Sequence, residues 1–384
     1  MKLLRMVQKF KDGLAVSPYP LSYTLAYPWY AHQPSFRNHS GVSPAPLVRR
    51  PAQEDNSLVR LVFFGDLVGL SAVPIIDDKL RQVFSRADLV IGNLTGLCGE
   101  RTGDNLWEQA IDPDFLVKLF SKVGVSTDRL VISVANNHAQ DAGDQGLETT
   151  LRTFSKHHID TVGQITEGRP THLVRTLPSG LSVGIWAWTH WLNNSTENGF
   201  RDPTNFGILH SKQAPELLSS DAVDTTVVLP HWDYEYQHFP SRATRDFAKT
   251  LAAQDVDIVG GCHPHVLQPI EKFGDCHILY SSGNFLQGNI EISRSLSSRL
   301  GALWEIMLFT KGSKRGKVAG YQLHPFVHDR QSNSLRSVDP KDQDAYKILN
   351  RIYALPDRSF EQLYPMNARP VQPTNGRLIE FHEE

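Results

Sequence analysis

Residues 58–66, LVRLVFFGD, decide the fold. The stretch is a short apolar run ending in Gly65-Asp66. It reads as a buried strand that delivers a carboxylate at its C-terminal end. Outward from it the same grammar recurs. A helix-like segment over 76–85 leads to ADLVIGNLTG, a second strand ending in Asn93 and Thr95. Residues 113–122 read as a helix with an early proline, and then RLVISVANNHAQD runs a third strand into Asn136, Asn137 and His138. GDQGLETTLRTFSKHH is helix-like.

The second half repeats the pattern. LSVGIWAWTH is a strand, DTTVVLPHWDYEY is a strand ending at His231, and SRATRDFAKTLAAQ is a helix. DVDIVGGCHPH is a strand ending at His263, and CHILYSSGNF is one ending at Asn284. ALWEIMLFT and GYQLHPFV read as later strands, and 341–354 as a helix. Strands alternating with helices predict an α/β fold, with an α+β sandwich as the variant if the later strands pair antiparallel. The expected organisation is an irregular aromatic N-terminal arm over 1–56, a single domain over 57–330, and a C-terminal helix with an irregular extension over 331–384. Within the arm, Tyr23, Tyr27, Trp29 and Tyr30 are expected to pack on the main body.

Composition bounds the function. The 384 residues are 40% hydrophobic and 21% charged with a formal net charge of -2, which suits a folded soluble domain. That balance offers no electrostatic attraction for nucleic acid or a membrane surface. Cys98, Cys262 and Cys276 show no CxxC spacing, and an odd count does not build a disulfide framework. MKLLRMVQKFKDG is too interrupted by polar residues for a signal peptide; it reads as a solvated or packed terminal helix, with an amphipathic surface helix as the alternative. With no apolar run of spanning length, the expectation is a cytoplasmic or peripheral protein without a transmembrane segment. Neither a Gly-rich P-loop nor a GxSxG elbow is present. Oligomeric state leaves no trace in the sequence.

Polar groups gather at the strand ends: Asp66, Asn93, Asn136, Asn137, His138, His231, His263, His265 and Asn284. In open α/β sheets the crevice outside those ends binds ligands. Carboxylate, amide oxygen and imidazole together suit Mn, Zn or Fe. Residues two apart in an extended segment project to one side, so His263 and His265 are expected to face one ion or two adjacent ions, stiffened by Pro264. Cys262, by the same alternation, points away and is expected in the core, with metal binding as the minor alternative. Each polar group also has a local reading: Asp66 as a cap, Asn136 and Asn137 as turn supports, Asn284 as a turn residue after Gly283.

Taken in order, FGD at 64–66, ADLVIGNL at 87–94, VANNHAQDAGDQGL at 134–147, HWDYEY at 231–236, HPHVLQPIE at 263–271 and YSSGNF at 280–285 resemble the CapA/PgsA family of capsule and poly-γ-glutamate biosynthesis proteins. That family is similar to the calcineurin-like metallophosphoesterases. The resemblance implies a β-sandwich flanked by helices and a site for one or two divalent ions. It implies Asp66, Asn137, His231, His263 and His265 as metal ligands. His138 would be the general acid, oriented by Asp141. Asn93 and Asn284 would support the ligands or contact substrate, and Glu235 would be an added or supporting carboxylate. Two positions depart from the family pattern. The usual Asn-Leu-Glu reads Asn-Leu-Thr, so Thr95 stands where a bridging carboxylate is expected. Asp233 replaces the glycine after His-Trp. The membrane-anchoring helix of many relatives is also missing from the sequence.

These features predict a metal-dependent hydrolase acting on a phosphoester or related small or polymeric anion. The same water-activating donors would also serve amide chemistry on a γ-glutamyl polymer. The alternative, motivated by Thr95, is a non-catalytic binding or accessory protein for an acidic polymer with a degenerate metal site.

Overall fold

The structure, a computed structural model, describes residues 17–51, 58–69, 72–99, 109–193, 204–214, 217, 222–288, 295–339 and 341–355. Two sheets face each other across a shared core. In the first, Leu58–Val68, Leu89–Thr95, Leu130–Ser133 and Asp160–Val162 run parallel. Leu300–Phe309 pairs antiparallel on the other side of Leu58–Val68, followed by Val318–Asp329 and Ser334–Ser337. In the second, Ser182–Thr189, Thr225–His231, Ile258–Gly260 and Cys276–Leu279 run parallel. His172–Thr176 and Ile270–Phe273 close its two edges antiparallel. The architecture is the α/β one expected, with the antiparallel additions of the sandwich variant.

Period-two alternation explains why these runs are apolar on both faces. On Ser182–Thr189, Val183, Ile185 and Ala187 join the core between the sheets. Trp186 and Trp188 point the other way, into a second cluster under helix Arg242–Ala252 with Ala248 and Leu251. On Leu58–Val68, Phe63 lies 5.5 Å from Trp304. Its neighbour Phe64 meets Phe120 of helix Pro113–Lys122 at 5.4 Å. Each such side chain contributes about 1.5–3 kcal/mol on burial. The helices begin where side chains satisfy free amides: Asp77 accepts from Leu80 N at 2.9 Å, and Ser241 from Thr244 N at 3.2 Å.

The N-terminal arm is not irregular throughout. Leu21–His32 is a helix, and Val48–Arg49 pairs with Gln322 and Tyr321. Leucines and aromatics surround that helix without a polar face, and Pro28 sits inside it, so no helical period is visible in the sequence. Docking selects the conformation. Beyond residue 330, Leu335, Leu349, Ile352 and Tyr353 belong to the main core, so the Gln343–Ile352 helix is part of the same body. CHILYSSGNF is two strands rather than one. Cys276–Leu279 stays in the second sheet, while Asn284–Gln287 pairs with the end of Leu58–Val68 in the first. Among the described residues no helix is long and apolar enough to cross a membrane. The terminal helix expected over 1–13 and the irregular tail over 367–384 lie outside the described residues.

One buried charge ties the first sheet together. Glu305 accepts from Arg60 at 2.8 Å and His324 at 2.8 Å, and it also pairs with Arg86. Burial alone would raise its carboxyl. The His324 hydrogen bond and the His324, Arg86 and Arg60 charges instead bring it from 4.5 down to about 2. A depressed carboxylate stabilises the fold above its unfolded pKa and loses that contribution as pH falls through its folded one. Glu305→Gln is therefore expected to cost about 3 kcal/mol at neutral pH. It should also flatten the pH dependence of stability between 4.5 and about 2. Urea melts across that range test it; a parallel pH dependence in both proteins counts against the assignment.

Candidate metal centre

The C-terminal ends of strands from both sheets meet around Asp66. The chain reaches that position by a close crossing: Asp66 N donates to Gly283 O at 3.0 Å. A Cβ on Gly65 would lie 1.8 Å from that same oxygen, so only glycine fits before the aspartate. Gly283, at φ +67°, turns the chain from one sheet to the other.

Asp66 is fully buried and spends both oxygens. Oδ1 accepts from Asn93 Nδ2 at 2.8 Å and Thr95 Oγ1 at 2.9 Å. Oδ2 accepts from His263 N at 3.1 Å and lies 3.5 Å from His265 Nδ1. Burial alone would raise this carboxyl, but chiefly the His265 hydrogen bond and charge, with the Thr95 hydroxyl, hold it below its usual value. Asn93 Nδ2 also reaches Thr95 Oγ1 at 2.8 Å and His231 Nδ1 at 3.3 Å. His231 Nε2 lies 3.1 Å from Asn137 Oδ1. Burial pushes His231 down to about 3, so its ring is neutral and ready to act as a ligand.

His263 and His265 do converge, but not through strand alternation. The strand stops at Gly260, and both histidines are left-handed, at φ 98° and 57°. For side chains with a Cβ that is costly backbone, held here by the Asp66 and Tyr236 contacts on either side. Tyr236 N donates to Pro264 O at 2.7 Å. Their rings lie 6.0 Å apart, and His263 lies 4.4 Å from His231. Burial drives His263 well below its ordinary pKa. Burial also opposes the charged form of His265, yet its Asp66 hydrogen bond, the Asp66 and Glu235 charges and the Asn284 bond raise it to about 9. Asn284 accepts from His265 Nδ1 at 2.8 Å and donates to Ser298 O at 2.9 Å, which fixes the imidazole plane.

Two groups of metal-competent atoms result. Asp66, His231 and Cys262 form one; Glu235, His263 and His265 form the other; all are buried. Cys262 therefore does not point away: its thiol approaches Asp66 and His231, because Cys262 still pairs beside His231 and the chain turns left-handed only at His263. Burial, then the Asp66 charge, keep it a thiol in the ion-free protein. The donor set of carboxylate, imidazole and amide suits Mn, Fe or Zn. Two buried atoms of the cluster, Asn93 Oδ1 and His263 Nδ1, have no hydrogen-bond partner in the structure, as expected of atoms that serve a cation. The residues present fit one or two divalent ions.

Beside these groups, His138 Nδ1 lies 2.7 Å from Asp141 Oδ2. Asn136 accepts from His138 N at 2.8 Å and Gly96 N at 3.1 Å, so it shapes the turn rather than the cluster. Asp233 does not reach the position facing Thr95. Its Oδ2 accepts from Ser241 N at 2.9 Å at the start of the Arg242–Ala252 helix. Burial raises its pKa. Three participants were not among the site residues expected from the sequence. Asn193 accepts from Asn137 Nδ2 at 3.0 Å and approaches His138 Nδ1 at 3.2 Å, linking ligand and proton donor. Tyr19 and Tyr27 both donate to Glu235. Only the density of aromatics in residues 19–30 hinted at the last two.

Facing sheets with an Asp, Asn and His cluster at their strand ends define a metallophosphoesterase-like protein of the α/β class. Within that class, the model of the family described as bacterial capsule synthesis protein PGA_cap matches residues 52–289, and the chain belongs to that family. It is similar to the PGA biosynthesis protein CapA of Bacillus subtilis, with 28% identity over 57% of this chain and 59% of that protein. It is similar to the capsule biosynthesis protein CapA of Bacillus anthracis, with 29% identity over 41% and 39%. A probable polyglutamine synthesis accessory protein of Mycobacterium tuberculosis is 26% identical over 40% and 44%. The matched part of the chain thus spans between 39% and 59% of these relatives' own lengths.

Proposed function

We propose that this chain is a metal-dependent hydrolase of a phosphoester or related anionic substrate that serves capsule or polyglutamate biosynthesis. The observation that carries the reading is the junction of the two donor groups, with the His138–Asp141 pair alongside. Asp66, Asn137, His231, His263, His265 and Glu235 would hold the ions, with Cys262 at the margin of the first group. When bound, divalent cations supply Lewis acidity toward an anionic substrate and a more acidic water. The chain's own part follows from the geometry. Asp141 holds His138 Nδ1, which leaves Nε2 as the nitrogen that gives a proton to the leaving oxygen. Asn193 keeps that imidazole beside Asn137. Asn284 and Asn93 orient His265 and Asp66. A panel of phosphomonoesters, phosphodiesters and γ-glutamyl amides, assayed with Mn, Fe or Zn, tests the reading. No turnover on any of them, at full ion occupancy, would rule it out.

A second reading rests on Thr95. Its hydroxyl donates to Asp66, where a carboxylate bridge would otherwise stand. A chain holding fewer ions this way would bind an acidic polymer through the cleft without cleaving it. Thr95→Glu separates the two. Position 95 is fully buried and its hydroxyl oxygen is 2.9 Å from Asp66, so a second carboxylate there is repelled unless a cation lies between them. The variant is expected to melt lower in chelator, to recover on adding Mn, and to bind one more ion per chain by elemental mass spectrometry. An unchanged count means that Thr95 does not limit occupancy.

A further inference from the structure

We propose that Tyr19, from the N-terminal segment, is a positioning residue of the ion site: it fixes the tautomer of His263 so that Nδ1 is the ligand atom, and couples that ring to Glu235. The inference rests on the metal-dependent reading above and adds residues outside the family match, which begins at residue 52.

The Tyr19 hydroxyl lies 2.5 Å from His263 Nε2 and 2.9 Å from Glu235 Oε1. A hydroxyl has one proton to give and lone pairs to receive. Glu235 Oε1, a carboxylate oxygen, only accepts, so the Tyr19 proton goes there. His263 Nε2 must then carry the hydrogen and donate to Tyr19. A neutral imidazole has one N–H, so Nδ1 keeps its lone pair. That nitrogen is buried and has no hydrogen-bond partner in the structure. The chain His263 Nε2–H to Tyr19 O–H to Glu235 is thus satisfied at every link, and its one open valence is the lone pair that a cation takes. Setting which nitrogen binds by engaging the other is how outer partners tune histidine ligands.

The rest of the segment holds this chain in register. Tyr27 OH donates to Glu235 Oε2 at 2.7 Å, and Tyr23 OH donates to the Glu235 backbone oxygen. Two tyrosines from one short stretch therefore fix the Glu235 carboxylate, and a third fixes the backbone of the same residue. Tyr19 is packed edge-on against Trp191 at 5.2 Å and beside Tyr234 at 5.7 Å, which leaves its ring little freedom. The helix Leu21–His32 that carries Tyr23 and Tyr27 leaves Leu21, Leu25 and Trp29 exposed on its other side. Its docking is therefore through the tyrosine face.

The test compares wild type with Tyr19→Phe, which keeps the ring packing and removes the hydroxyl. Long-range proton–nitrogen spectra of the ion-free full chain report the His263 tautomer, assigned by its loss in His263→Gln. Wild type should show Nε2–H alone, and Tyr19→Phe a mixture with Nδ1–H. Calorimetric titration with Zn should show roughly 10–100-fold weaker binding in Tyr19→Phe, the range for losing a ligand's outer partner. Tyr27→Phe, which leaves the His263 link intact, should keep the tautomer. A wild-type Nδ1–H tautomer overturns the proposal whatever the ion affinity. Tighter Zn binding by Tyr19→Phe also overturns it, because the hydroxyl would then be competing with the ion. If wild type shows the Nε2–H form but binds no divalent ion, the metal-dependent reading fails and this role for Tyr19 falls with it.

Discussion

Asp66→Asn is expected to abolish the proposed high-affinity ion binding while leaving the chain folded. The substitution keeps the side chain's shape and removes its charge. It also turns one acceptor into a donor, in a position where Asn93, Thr95 and the His263 amide all donate. No local rearrangement restores those acceptors, because Asp66 is fully buried at the crossing beside Gly283. His265, raised to about 9 chiefly by Asp66, loses its main counter-charge. Breaking a buried pair of this kind costs about 3–5 kcal/mol. Ion affinity should fall by more than the roughly 100-fold expected for losing an outer partner alone. Titration with Zn or Mn, beside a chemical melt, checks both quantities. Retained affinity in a folded Asp66→Asn would show that Asp66 is not a required ligand and that the ion is held by the Glu235, His263 and His265 group alone.

His138→Ala separates proton transfer from ion binding. His138 belongs to neither donor group; its contacts are Asp141, Asn136 and Asn193. Ion content should therefore stay at the wild-type level. Turnover on the substrate that the panel identifies should drop by roughly 10²–10⁴, the usual contribution of a positioned acid. Asp141→Asn should fall less, since the imidazole remains but loses the carboxylate that orients it. Parallel loss of ions and turnover in His138→Ala would place His138 among the ligands and leave the proton donor to be found elsewhere.

The part of the site that was legible lies at strand ends. Asp66, Asn93, Thr95 and His231 each follow an apolar run, and the parallel pairing that brings such ends together follows from the strand–helix alternation. Glu235 could be named but not placed, because it lies in a loop after His231 where no period constrains direction. The convergence of His263 with His265 was expected for the wrong reason. Extended geometry would put the pair on one face and Cys262 on the other. Pairing instead continues through Cys262 and the chain turns left-handed at His263 and His265, so the thiol joins the Asp66–His231 group and the histidines the adjoining Glu235 group.

By itself, then, the sequence determined the α/β alternation, the two apolar faces of each central strand and the identity of the polar residues at their ends. These depend on patterns only a few residues long. The tertiary structure alone decided what crosses the molecule: Tyr19 on His263 across 244 positions, Asn193 between Asn137 and His138, and Asp233 drawn away to a helix start. The Leu21–His32 helix belongs with these, since the tyrosines that dock it find their partner 208 to 216 residues away. Such contacts are set by how the two sheets stack and where loops leave them. No local propensity encodes that arrangement; it arises from burying both faces of both sheets at once.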